Sequence, residues 1–221
     1  MAFFKMDNLR HWAIRYTFFF LGLVLFGLGI AISVKVRHLG LHPWDVLNVA
    51  LTDKFGWSIG TWSVLVGMVV ILSSLLISRK YINIGTFLNA LLIGPFMDFF
   101  LWLDFLPNAS YTWLDYGWLL LAILITGMAG GLYVAGGIGA GPRDGFMLSI
   151  SERTRLSVSR ARIMVESVVL VIGFLLGGPV HVVTFLYTLI LSPVFQVSLR
   201  LFAKLRIALV GELPSEAKVK V

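Results

Sequence analysis

Long, unbroken apolar runs set the pattern of this chain, and its polar residues gather between them. Six runs have the length, about 17–25 helical residues, that crosses the hydrocarbon core of a bilayer: 14–34, 60–78, 84–103, 116–136, 161–177 and 180–199. Two further segments, 43–53 and 142–152, open on Pro43 and Pro142 and mix apolar with polar residues. As helices they extend only about 16 Å at about 1.5 Å per residue, roughly half a bilayer. The first run follows Lys5, Arg10 and Arg15, lacks a small-x-small cleavage site, and is too long for the apolar region of a signal peptide. It is expected to remain as a signal-anchor helix.

The pattern occurs twice. Sliding the chain by 99 residues places Gly40, Pro43 and Asp45 on Gly139, Pro142 and Asp144, and Ser58-Ile59 on Ser157-Val158. A slide of 98 places Thr86-Phe87-Leu88 on Thr184-Phe185-Leu186, Pro95 on Pro193, and Asp98 on Gln196. Apolar matches are cheap in a chain of this kind, but paired Gly-x-x-Pro-x-Asp segments are not. Each half then holds one long span, one short helix and two more spans. Three crossings per half turn the second copy upside down relative to the first. Inverted repeats with interrupted helices at matching places are the sequence pattern of secondary transporters, whose sites lie at the repeat interface. The expected fold is therefore an all-α, polytopic transmembrane helix bundle of six full spans and two half-length helices in two inverted repeats. The repeats cover 14–106 and 116–207, joined by an extracellular linker at 107–115. A cytoplasmic segment at 1–13 and a disordered cytoplasmic tail at 208–221 flank them.

Composition agrees. Apolar residues make up 58% of the chain and charged residues 13%, with a mean hydropathy of +0.91. Soluble domains average about 45–50% apolar and about 25% charged. The 22 glycines are scattered through the apolar runs, where small residues let helices approach closely. Pairs four apart, Gly127 with Gly131 and Gly173 with Gly177, are read in this way. The chain has no cysteine, which excludes disulfides, thiolate nucleophiles and cysteine metal sites.

The net charge of +7 invites a nucleic-acid reading, but the positions of the charges exclude one. With six crossings, Lys5, Arg10, Arg15, Arg79, Lys80, Arg143, Arg153, Arg155, Arg160, Arg162, Arg200, Lys204, Arg206, Lys218 and Lys220 share one side, and Lys35, Arg37 and Lys54 the other. That split of 15 to 3 places both termini in the cytoplasm by the positive-inside rule. Were both short segments to cross, the split would be 13 to 5. Trp44, Trp57, Trp62, Trp102, Trp113 and Trp118 fall at the outer boundary in this arrangement and Trp12 at the inner one, as an aromatic belt would. Residues 199–207, with Arg200 and Lys204 one turn apart, are expected to lie along the inner surface. The polar tail from Gly211 is expected to be disordered.

The segments Gly40-Leu41-His42-Pro43-Trp44-Asp45, Ser58-Ile59-Gly60-Thr61 and Gly139-Ala140-Gly141-Pro142-Arg143-Asp144-Gly145 resemble those of the YczE/YitT group of bacterial multi-span membrane proteins, most of all its YczE branch. The resemblance covers roughly residues 10–205. It implies a bacterial plasma-membrane location and brings no reaction, substrate or set of functional residues with it.

A few charges are left that orientation does not explain. Asp45 and Asp144 are either a symmetry-related pair of cation- or proton-binding carboxylates or acids placed to suit the exposed N–H groups of a helix that begins on proline. Arg143 can neutralise Asp144 or meet an anionic substrate. Its counterpart is Trp44, so its role belongs to one half. Asp98 reads as a packing or capping group, or as an outer gate or proton-binding site, and its repeat partner Gln196 keeps hydrogen-bonding ability without charge. Glu166 lies deep in its span with Arg162 one turn before it, the spacing of an ion pair; unpaired, it would be the coupling carboxylate. Asn89 is expected to hydrogen-bond across helices. The starts of the short helices, Gly40, Pro43, Gly139, Gly141 and Pro142, frame the site.

The glycine run from Gly136 to Gly141 lacks the Lys-Ser/Thr of a phosphate loop, and is read as irregular backbone entering the bundle. His38, His42 and His181 make no recognised metal set, and no cofactor or metal is expected. Too few convergent titratable groups can be named from the sequence for an enzyme site, so an enzyme is not expected. The function expected is a small-solute or ion transporter working by alternating access. The alternative is a non-transporting accessory or scaffold protein. The lipid bilayer is the expected partner, with a small molecule or ion as substrate, a homodimer as an option and no nucleic acid.

Overall fold

The computed structural model describes residues 2–103 and 105–210, which form eight α-helices and no strand among the described residues. They are α1 (Ala2–Lys35), α2 (Pro43–Phe55), α3 (Ile59–Ile77), α4 (Ile84–Trp102), α5 (Leu114–Ala135), α6 (Pro142–Thr154), α7 (Val158–Leu175) and α8 (Val182–Val210), with a 3-10 turn at Arg37–Leu39. Local chemistry sets the boundaries. Pro43 and Pro142 occupy the first helical turn of α2 and α6, where a missing N–H costs nothing. Ser58 caps α3 by accepting from Thr61 N at 3.0 Å, and Ser157 does the same for Arg160 N at the start of α7. Asn83 and Thr86 form a reciprocal capping box on α4.

Five of these helices are long and apolar enough to cross a membrane: the Leu9–Lys35 part of α1, then α3, α4, α5 and α8. The fifth expected span falls on α7, whose 18 residues carry Arg160, Arg162 and Glu166. α1 begins at Ala2, so residues 2–13 are helical and run into the first apolar stretch without a break. Residues 199–207 form no helix of their own. They continue α8, and Arg206 within them is fully buried. The tail from Gly211 lies outside the described residues.

α1 packs lengthwise on α5 at the centre, with α4 against α1 and α8 against α5. A Cβ on Gly22 would sit 2.6 Å from Tyr133 N, so the central pair is as close as backbone allows. Gly127 and Gly131 meet Val194 and Ser198 of α8 in the expected way. Gly177 does not pack. It has φ +92 and nothing near it, so it serves as the left-handed end of α7. The short helices cross between halves, α2 against α7 and α6 against α3.

Contacts between loops define the two ends of the bundle. At one, Arg37 meets Asp53, His38 meets Asp115 and Lys35 meets Asn108. At the other, Lys80 meets Glu152 and Arg15 donates to the carbonyls of Gly136 and Gly137. Helix α2 therefore ends at the first and α6 at the second, while their starts meet in the middle. The irregular glycine backbone before α6 has the polar partners it requires, since Thr86 Oγ1 also donates to Ala140 O at 3.0 Å. α3 and α4 pack closely, whereas α7 and α8 approach each other much less closely among the described residues.

Candidate functional site

Where α2 and α6 meet, their first turns bring Trp44, Asp45, Arg143 and Asp144 to one place. Arg143 Nη2 lies 3.8 Å from Asp45 Oδ1, and its guanidinium sits 5.0 Å from the centre of the Trp44 ring. Trp44 is thus not an outer-boundary residue. It is 2% exposed and buried at the start of α2, where the cation covers its face. Asp144 has other partners. Arg162 Nη2 approaches it at 3.3 Å, and the Tyr133 hydroxyl donates to it at 3.3 Å.

Arg162 therefore does not form the one-turn pair with Glu166 that the spacing suggests. Glu166 instead accepts from the Thr188 hydroxyl at 3.1 Å and faces His42 Nε2 at 3.7 Å. Thr188 lies on α8, as does Ser192, 3.5 Å from Arg162. Side chains of α7 and α8 thus meet across the seam between them.

These groups line a cavity of about 100 Å³. One water needs about 10–15 Å³ of such space, so several waters or a small solute fit. Apolar and aromatic side chains complete the wall, among them Phe26, Ile93, Tyr187 and Phe195. Asn89 also faces the cavity. It is 3% exposed, and its Nδ2 makes no hydrogen bond among the described residues, contrary to the cross-helix bond expected of it.

Several expected site residues lie elsewhere. Asp98 accepts from Gly60 N at 2.8 Å and from Ser58 Oγ, so it caps α3 outside the cavity. Gln196 is exposed. Gly40 packs on Thr184 and Gly139 on Asn83, while Pro43 is buried in the first turn of α2. Gly141 and Pro142 do line the cavity. Far from it, Lys80 and Glu152 tie the end of α6 to the α3–α4 turn at 2.9 Å. That hydrogen bond holds the Lys80 ammonium above, and the Glu152 carboxyl below, their ordinary ranges.

Reading of the sequence missed His42, Tyr133, Tyr187 and Ser192 as wall residues and Thr188 as the donor to Glu166, and gave Arg162 the wrong partner. The repeat held part of the signal. Ser63 and Arg162, Gly67 and Glu166, and Asn89 and Tyr187 stand 99, 99 and 98 residues apart, and all six line the cavity. The two halves supply the same positions, but the charge comes mainly from the second.

One relative of the chain is named as a membrane protein. The chain is 33% identical over 189 residues to a Bacillus subtilis protein named "Uncharacterized membrane protein YczE", covering 84% of this chain and 86% of that one. It is 32% identical to an uncharacterized protein of Haemophilus influenzae, over 83% and 82% of the two chains. It is 25% identical to the Bacillus subtilis protein YyaS, over 78% and 86%. No solved structure matches it. Residues 13–200 match the model of a family described as "Family of unknown function (DUF6198)". With its apolar helices, its motifs and these relatives, the chain is a membrane protein of the DUF6198 family and of YczE type.

Proposed function

We propose that this protein is a secondary transporter of a small solute or ion in the bacterial plasma membrane, working by alternating access. The observation that carries the proposal is the meeting of two half-length helix starts, one from each repeat, around a charged cavity, with Arg143 of one 3.8 Å from Asp45 of the other. Half-helices whose starts meet near the middle of a bundle are a transporter feature, because irregular backbone and charge are tolerated there only around a site.

In this reading α7 crosses as a sixth span with its charges turned to the cavity, and both termini are cytoplasmic. The two repeats are inverted, which the reciprocal packing of α2 on α7 and α6 on α3 supports. Rocking of one half against the other would exchange the tight α3–α4 contact for a closed α7–α8 contact, exposing the cavity to alternate sides. The test is solute flux in proteoliposomes carrying the full chain. Glu166→Gln and Asp144→Asn should abolish it while the protein still folds. Absence of flux across all solute classes, together with a co-purifying partner, would favour the accessory reading.

A further inference from the structure

We infer that the cavity binds a monovalent organic cation with an apolar body, in competition with a single proton held on Glu166. This deepens the transport reading and rests on the same cavity.

The inference starts from the charges that face Glu166. Asp45 on α2, Arg143 and Asp144 on α6, and Arg162 on its own helix line the cavity with it, as do His42 before α2, Tyr133 on α5 and Tyr187 on α8. Two guanidiniums stand against three carboxylates. Arg143 is matched by Asp45 and Arg162 by Asp144. Glu166 is left with a hydroxyl donor from Thr188 and the imidazole of His42, which is ordinarily neutral at pH 7. The cavity thus lacks one positive charge, and an uncompensated carboxylate in a low-dielectric wall takes up a proton or a cation.

The rest of the wall selects which cation. Phe26, Tyr133, Tyr187 and Phe195 present rings, and aromatic faces are the usual receptors of ammonium groups that carry apolar substituents. The unpaired Nδ2 of Asn89 marks a polar spot that only a bound molecule or water can satisfy. The loosely packed α7–α8 seam lies beside Glu166, where Thr188 and Ser192 reach across it, and it offers an amphipathic molecule a way in from the bilayer. A proton and the cation then exclude each other, which is the coupling step of an exchanger.

Benzyltrimethylammonium is the probe, titrated by calorimetry into the full chain in nanodiscs across pH and in buffers of different ionisation heat. The expected result is binding that releases close to one proton, with affinity falling about tenfold per pH unit in the acid range. Glu166→Gln should lose proton release and weaken binding at least tenfold, Glu166→Asp should retain proton release, and His42→Gln, beside Glu166, should shift the affinity but still release a proton. Phenylacetate should bind far more weakly than the cation. Any one of three results overturns the inference: tighter binding of phenylacetate, no binding of the cation at millimolar concentration, or proton release that vanishes with His42→Gln. If Glu166→Gln does not fold, the wild-type proton release, the anion comparison and the other two variants still decide. Binding with proton release but without flux would uphold this inference and sink the transport reading. Flux of another solute with no cation binding would do the reverse.

Discussion

Arg143 bridges the two halves of the protein, with its guanidinium 3.8 Å from Asp45 and stacked 5.0 Å from the centre of the Trp44 ring. One helix start thus supplies the cation, and the other supplies both its counter-charge and its aromatic bed. Asp144, the repeat counterpart of Asp45, is held by Arg162 instead.

Breaking the first pair should therefore be felt by the whole fold. Removing one partner of a fully buried pair costs about 3–5 kcal/mol, and since the Arg143 side chain is 24% exposed the loss for Asp45→Asn is expected nearer about 2 kcal/mol. Adding Arg143→Gln should recover at least about 1 kcal/mol of it. Unfolding midpoints of the two single variants and the double variant measure this, and strictly additive losses would mean that the pair contributes nothing.

Asp98 should behave differently from the cavity acids. Its carboxylate receives Gly60 N and Ser58 Oγ at the start of α3. Asp98→Asn is expected to cost about 1 kcal/mol of stability, the magnitude of a helix cap, and to leave solute flux intact. Loss of flux without loss of stability would place Asp98 in the transport path after all.

The α3–α4 crossing depends on two glycines. A Cβ on Gly94 would collide with the carbonyl oxygen of Gly60 and come within 2.8 Å of Val64 Cγ2. Gly94→Val should cost about 1–3 kcal/mol through overpacking, or prevent folding. Gly117→Ala is the control, because nothing lies within 4 Å of the added carbon and alanine favours the helix. Equal thermal midpoints for the two variants would contradict the close crossing.

The proposed six-span arrangement puts the α4–α5 loop and the end of α6 on opposite sides of the membrane. The chain has no native cysteine, so Ser110→Cys and Thr154→Cys report cleanly. An impermeant maleimide should label the first from outside and the second only after permeabilisation. Labelling of both from the same side would exclude the arrangement.

The apolar runs and the two proline-led segments were legible along the chain because they are local. Pro43 and Pro142 suit the first turn of a helix, and Ser58, Asn83 and Ser157 add caps to α3, α4 and α7 through bonds spanning three residues. The repeat placed Asp45 and Asp144 at equivalent starts, and through the same offsets it marked Ser63 with Arg162 and Gly67 with Glu166. Reading outward from single spans failed where a side chain has several partners within reach. Arg162 is one turn from Glu166, yet its long stem reaches Asp144 on another helix. Trp44 has the sequence context of an interfacial ring, yet the docking of α6 covers it.

What the sequence by itself determined is the solvent and the helices, since both follow from hydrophobicity and short-range bonding. The tertiary structure alone decided which charge meets which, that α7 and α8 approach each other less closely than α3 and α4 do, and that Arg162 meets Asp144 rather than Glu166. These depend on the rotation and separation of helices distant in sequence. Such quantities are set by packing across the whole bundle, and no local pattern encodes them.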